Sequence, residues 1–303
     1  MTCVAGTVAP PAERAQLAVA SLLAAGLLWG TTWLPLKYFS SQGLNGLTLT
    51  MLSYGLIGLA AAPWVALRRA SWWPQRGRVL TMALAGGAAN VCFISALVSG
   101  EVVRVMLLFY LAPIWGVLGG HVFLGEALTR LRLAAVAAAV IGALLILGGP
   151  QALSAPVSLI DVLALASGLL YASQTIATRA ADTTPLDIKS LVVFVGCGAL
   201  SGAIVLATGE QPPPVSGVLF AQLAGFSGLW IMAAMVTTVW GVTHLEAGRA
   251  AVLLVFELVA ATVSAMWIGG ERLSGAEWIG ALLITGAALV EARAGSKPAE
   301  GPA

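Results

Sequence analysis

Glu257 lies in the run AAVLLVFELVAATVSAMW and is the one acid expected near the centre of an apolar segment. A carboxylate at that depth costs about 2.5–3.5 kcal/mol on insertion scales, so it should face the protein interior or water. There it can bind a cationic group, carry a proton or act as a structural hydrogen-bonding group. A second candidate set is Tyr171, Gln174, Thr175 and Thr178, spaced i, i+3, i+4 and i+7 and hence on one helical face. Trp29, Thr32 and Trp33 form a matching stripe near the start of the chain. Two polar-aromatic stripes suit a shared cavity, although interhelical packing uses the same residue types. Asn90 can accept from an ammonium and donate to a carboxylate, or clasp a neighbouring helix. Trp240, with Trp230 and Thr237, can stack on an aromatic or cationic group or pack against lipid and protein.

Tyr110, Pro113 and His121 share the run RVMLLFYLAPIWGVLGGHVFLGE. Tyr110 and His121 are separated by about 20° around a helix of 3.6 residues per turn. Pro113 has no N–H for the carbonyl of Phe109, which leaves an acceptor beside Tyr110 and predicts a kink. His121 is close to the expected membrane boundary, as an interfacial side chain or a proton relay. The candidate substrate-binding set is therefore Thr32, Trp33, Asn90, Tyr110, Tyr171, Gln174, Thr175, Trp240 and Glu257, with Glu257 and His121 as proton-linked candidates.

Absent chemistry narrows the field. No Lys or Arg is expected at mid-depth, so a phosphorylated substrate would find no buried cation. One deep acid does not make a metal pathway, and three cysteines (Cys3, Cys92 and Cys197) give neither a disulfide framework nor metal-ligand spacing. No HExxH, GxSxG or P-loop pattern occurs, so no enzyme, ATP-driven pump, cofactor or metal is expected. Small, roughly neutral or zwitterionic organic molecules remain.

The elements that must hold these residues follow from composition. The chain is 59 % hydrophobic and 9 % charged, with a mean hydropathy of +0.94, whereas a water-soluble domain carries about 25 % charged residues. Its solvent must be lipid, and a net charge of +2 gives no reason to expect nucleic acid. Ten apolar runs fall at 17–37, 46–67, 79–99, 102–124, 132–148, 159–179, 188–208, 217–243, 249–269 and 275–292. Twelve of the fifteen basic residues fall on the side that holds both termini; Lys37, Arg104 and Arg272 fall on the other, so both termini are expected in the cytoplasm. Trp72-Trp73 read as an interface anchor.

The runs repeat. Glu101, Arg104, Leu108, Gly125-Glu126 and Leu128 recur as Glu246, Arg249, Leu253, Gly270-Glu271 and Leu273, about 145 residues on. LLWGTTWLPLK (27–37) is answered by LLYASQTIATR (169–179). Leu258 stands where the first copy has Pro113, so the kink is expected in the first half alone. Glu126 and Glu271 should be structural, satisfying neighbouring helix ends or a nearby Arg. Five helices per half force the second to enter from the opposite face. The expected fold is an all-α membrane protein of ten transmembrane helices, two inverted five-helix repeats around a central cavity. Its parts are a cytoplasmic tail (1–16), the repeats (17–148 and 159–292) and a second cytoplasmic tail (293–303).

LLWGTTWLPLK, the segment ALVSGEVVRVMLLFYLAPIWGVLGGHVFLGEAL and its second copy GVTHLEAGRAAVLLVFELVAATVSAMWIGGERL resemble EamA-type members of the drug/metabolite transporter superfamily. The resemblance spans about residues 17–292 and departs at Glu257-Leu258, where the first copy has Ala112-Pro113. It implies export of metabolites, typically amino acids, across the bacterial inner membrane by alternating access. It also implies a cavity lined by runs 1–4 and 6–9, with runs 5 and 10 peripheral. Within the family the chain is most similar to amino-acid exporters, including the aromatic branch. A drug or organic-cation extruder and a non-transporting membrane scaffold are the rival expectations. The partners expected are a small-molecule substrate and the lipid bilayer, with monomer and homodimer both open.

Overall fold

A backbone in lipid can satisfy its polar groups only within itself, and apolar runs of this length therefore fold as helices. The computed structural model describes residues 11–124, 129–146, 158–209, 211, 213–245 and 253–294. Cys3, Glu126, Glu246, Arg249 and the extreme tails lie outside them. Among the described residues every regular element is helical. Seven stretches are long and apolar enough to cross a membrane: Gln16–Ser41, Gly46–Leu67, Arg69–Ser99, Val102–Phe123, Leu159–Ala180, Leu186–Thr208 and Gly217–Val242. Shorter apolar helices at Leu133–Ile146, Phe256–Trp267 and Gly275–Ala287 fall on the other three expected runs.

Several of these stretches are interrupted. The first consists of α1 (Pro11–Gly30) and α2 (Trp33–Ser41). Pro35 cannot donate to the carbonyl of Thr31, which takes the N–H of Leu34 instead at 3.0 Å. α3 (Gly46–Leu49) passes through a π-helical turn (Thr50–Tyr54) into α4 (Gly55–Leu67). The short α5 (Arg69–Trp72) and a 3-10 turn (Trp73–Gln75) lead into α6 (Arg76–Ser99). The fourth stretch is α7 (Val102–Phe109) and α8 (Ala112–Leu124), and α9 (Arg130–Ile146) follows. Then come α10 (Leu159–Ala180), α11 (Leu186–Thr208) and α12 (Gly217–Gly225). A second π-helical turn (Phe226–Ile231) leads to α13 (Met232–His244), α14 (Phe256–Trp267) and α15 (Gly275–Ala294).

Packing joins the early part of the chain to the late part. α6 lies on α10 and α11, α4 on α11, α1 on α13 and α14, α10 on α7 and α8, and α9 on α15. Small residues permit the close crossings, as they do between membrane helices generally. A Cβ built on Gly55 would lie 3.1 Å from the Cα of Gly198, and the reverse distance is the same. Gly142 and Gly280 are each aimed at the other's carbonyl oxygen, at 2.8 and 2.6 Å.

The kink expected at Pro113 is present, with Tyr110 and Leu111 in a turn between α7 and α8. The second half is also interrupted, which corrects the expectation of a break in the first half alone. Val255 forms a turn before α14, and the N–H of Leu258 donates to its carbonyl at 3.1 Å. No proline drives it. Tertiary packing accompanies it, because Gly26 and Gly30 of α1 press directly on the backbone of residues 256–261.

Candidate functional site

The two interruptions are brought together. Tyr110, in the turn after α7, lies beside Glu257 in the first turn of α14, which packs on α7. Glycines fix both backbones. A Cβ on Gly30 would stand 2.6 Å from the carbonyl oxygen of Glu257, and one on Gly26 3.2 Å from its nitrogen. On the other side Gly168 of α10 faces the carbonyl oxygen of Phe109 at 2.8 Å and the nitrogen of Ala112 at 3.5 Å. The acceptor that Pro113 leaves vacant thus meets a glycine surface, and Ala112 is the residue that aligns with Glu257 in the repeat.

Aromatic rings surround this pair. Phe109 meets Phe93 at 4.8 Å, Tyr110 at 5.8 Å and Tyr171 at 5.3 Å between centroids, the last two edge-on. Tyr54, packed on Phe194 at 5.8 Å, lies within electrostatic reach of Glu257, as does Tyr171. Tyr171 is 46 % exposed. Glu257 and Tyr110 are half-buried. Among the described residues no cationic side chain forms an ion pair with Glu257. A carboxyl group near aromatic rings, with no cation paired to it among the described residues, can receive a cationic group from outside.

The remaining candidates are distributed around this centre. Asn90 donates to the carbonyl of Gly86 one turn earlier at 2.9 Å, and Gln174 packs against that same glycine. Thr175 is exposed, its hydroxyl donating to the carbonyl of Tyr171 at 2.9 Å. Thr32 and Trp33 are buried with their polar groups in use. Thr32 donates to Leu28 and accepts from Trp230 Nε1 at 3.2 Å, while Trp33 Nε1 donates to Ser264 at 2.9 Å. Those bonds fasten α1 and α2 to the second π-helical turn and to α14. Trp240 stacks on His244 with centroids 4.4 Å apart. His121 is exposed on α8, some 16 Å beyond Tyr110 at ~1.5 Å per residue.

Polar side chains close the end of the bundle that carries Lys37 and Arg104. Glu271 accepts from the N–H groups of Val102 and Val103 at 2.7 and 2.9 Å, satisfying two of the orphan donors that begin α7. Lys37 lies 3.8 Å from Glu271 and donates to the carbonyl of Gly100. Arg104 grips Asp161 with two bonds of 2.7 and 3.0 Å and reaches the carbonyl of Ile146. The expected structural role of Glu271 is the one it has. Sequence reasoning missed Tyr54, Phe93 and Phe109. An aromatic side chain inside an apolar run carries no signal that separates a cavity wall from a lipid-facing surface.

Comparison with known proteins decides the family. A model of the EamA-like transporter family matches residues 16–148 and again residues 158–291. The chain belongs to the EamA-like transporter family. It is thus a multi-pass membrane transporter. It is similar to the probable terminal-alkyne amino-acid exporter of Streptantibioticus cattleyicolor, at 27 % identity over 292 residues, 91 % of this chain and 94 % of that protein. A crystal structure described only as that of a protein matches with a TM-score of 0.56 and 22 % identity, over 90 % of this chain and 95 % of that one. That likeness extends to the fold.

Proposed function

We propose that this EamA-family protein is a secondary transporter that exports amino acids and related small metabolites, aromatic ones included, across the bacterial inner membrane by alternating access. The packing of the two interrupted helices against each other, with Tyr110 of one half beside Glu257 of the other, is the observation that carries this reading. Ten spans form two inverted repeats, residues 17–148 and 159–292, with both termini in the cytoplasm. The helix contacts support a two-fold relation because they exchange in pairs. α6 on α10 answers α13 on α1, and α8 on α10 answers α14 on α1. The reciprocal glycine crossings are what such an axis requires of residues near it.

The substrate ammonium sits at Glu257 between the faces of Tyr110 and Tyr171, with its carboxylate toward Gln174, Thr175 and Asn90. An apolar side chain then meets Phe93 and Phe109. Similarity to a protein named as an exporter of terminal-alkyne amino acids supports an amino-acid substrate. One observation favours a second reading, a drug or organic-cation extruder: among the described residues the site offers a carboxyl group and rings but no ion-paired cation for a substrate carboxylate.

Counterflow in proteoliposomes, screened over the twenty amino acids and a panel of organic cations, tests both. Saturable amino-acid flux that falls at least tenfold in Glu257→Gln and several-fold in Gln174→Ala, with both variants folded, is expected. Unchanged rates in both variants contradict the site. Competition by cations and none by amino acids selects the extruder, and no flux of any compound selects a scaffold.

A further inference from the structure

The connection between α4 and α6 carries more charge and indole than a hairpin needs. Residues 68–78 read RRASWWPQRGR. The stretch that follows α11 (208–216) reads TGEQPPPVS, with no basic or aromatic residue, although it too joins two long apolar helices. The four arginines are of two kinds. Arg68 pairs with Asp187, its guanidinium carbon 5.4 Å from the centroid of Trp64. Arg78 lies 3.6 Å from Asp182 and donates to the carbonyl of Ala180. Those two charges are answered by acids.

Arg69 and Arg76 are exposed, and among the described residues no carboxylate pairs with either. Their guanidinium carbons stand 3.7 and 5.3 Å from the centroid of one ring, that of Trp73. Two like charges held around a single indole, 42 % exposed, make a focus of positive potential. The segment is fixed in depth as well. Trp72 Nε1 donates to the carbonyl of Val65 at 2.8 Å, which ties it to the last turns of α4. Gln75 bonds Asp182 and accepts from Thr184 at 2.8 Å, which ties it to the loop after α10. The charges therefore lie where apolar helices end, at the level of lipid headgroups, and beside them Leu67 and Leu80 present bare apolar surface.

We propose that Arg69, Arg76 and Trp73 form a binding site for the phosphate of an anionic phospholipid. The guanidinium groups take its oxygens, the indole lies at the glycerol level, and the acyl chains run along Leu67 and Leu80. Planar guanidinium donors match phosphate in pairs, and basic clusters directly flanking a membrane helix recognise anionic lipids in this way.

Native mass spectrometry of the purified full-length protein tests the site. The protein is exchanged from detergent into micelles containing equal phosphatidylglycerol and phosphatidylcholine. Wild type should retain one phosphatidylglycerol in clear excess over phosphatidylcholine. Arg69→Gln/Arg76→Gln should lower that retained fraction at least fivefold, and Arg76→Gln alone should give an intermediate loss. Arg130→Gln/Arg132→Gln removes the same charge elsewhere and should leave retention unchanged. Equal retention by the Arg69/Arg76 variant and wild type, or an equal loss in the control, overturns the proposal. So does full displacement by millimolar inorganic phosphate, which would make this a site for small anions.

Discussion

Glu257 is tightly constrained by its place, because a carboxyl group at this depth must be matched by polar contacts. Here Tyr110 is the polar side chain beside it, and among the described residues no cationic side chain pairs with it. Glu257→Gln keeps the shape but removes the capacity for charge. Transport should therefore collapse while the thermal midpoint in detergent moves by only a few degrees. Tyr110→Phe removes the hydroxyl beside Glu257 and should weaken substrate affinity several-fold with folding retained. The glycines beneath the site make a sharper structural prediction. Gly30→Ala drives a methyl against the carbonyl of Glu257, and Gly168→Ala against that of Phe109. Overpacking of this kind costs about 1–3 kcal/mol. Gly116→Ala adds a methyl where nothing lies within 4 Å and should be tolerated. Thermal melts of the three variants distinguish these outcomes.

Among the elements, α7 and α8 do the most to shape the site. Glu271 holds the first N–H groups of α7, and Arg104 in its first turn is anchored to Asp161. Tyr110 is thereby presented at a fixed height. Glu271→Gln replaces charge-assisted caps with weaker ones and should lower the melting temperature. Asp161→Asn leaves the half-buried guanidinium of Arg104 without its counter-charge and should lower it further. Much of this element was legible in sequence. Pro113 announces the break after Phe109, and the repeated Gly-Glu endings mark Glu271 as a helix-end partner. The break at Val255 was not legible, since no proline or turn residue encodes it and it accompanies the crossing of α1. Nor were the roles of Thr32 and Trp33, where a polar stripe at helical spacing turned out to bind neighbouring helices. Spacing fixes a face, but which neighbour that face meets is a tertiary fact.

For the whole molecule, exchanged helix pairs and reciprocal glycines suit two halves that rock against each other. Under the proposed alternating access, the Lys37–Glu271 and Arg104–Asp161 contacts would be the latch at one end. Loosening the latch with Glu271→Gln should raise the reactivity of a cysteine placed at Leu107, buried on α7, toward a membrane-impermeant thiol reagent. The central claim is that the rings around Glu257 line a water-filled chamber that substrate enters. The most direct measurement starts from protein with Cys3, Cys92 and Cys197 replaced by serine or alanine. Single cysteines are placed at residues 171 and 175, and their reaction with the same impermeant reagent is followed with and without a transported amino acid. Rapid labelling at both positions, slowed at least fivefold by substrate, is the predicted result. Labelling only by lipid-soluble reagents, with no protection by substrate, would contradict the account.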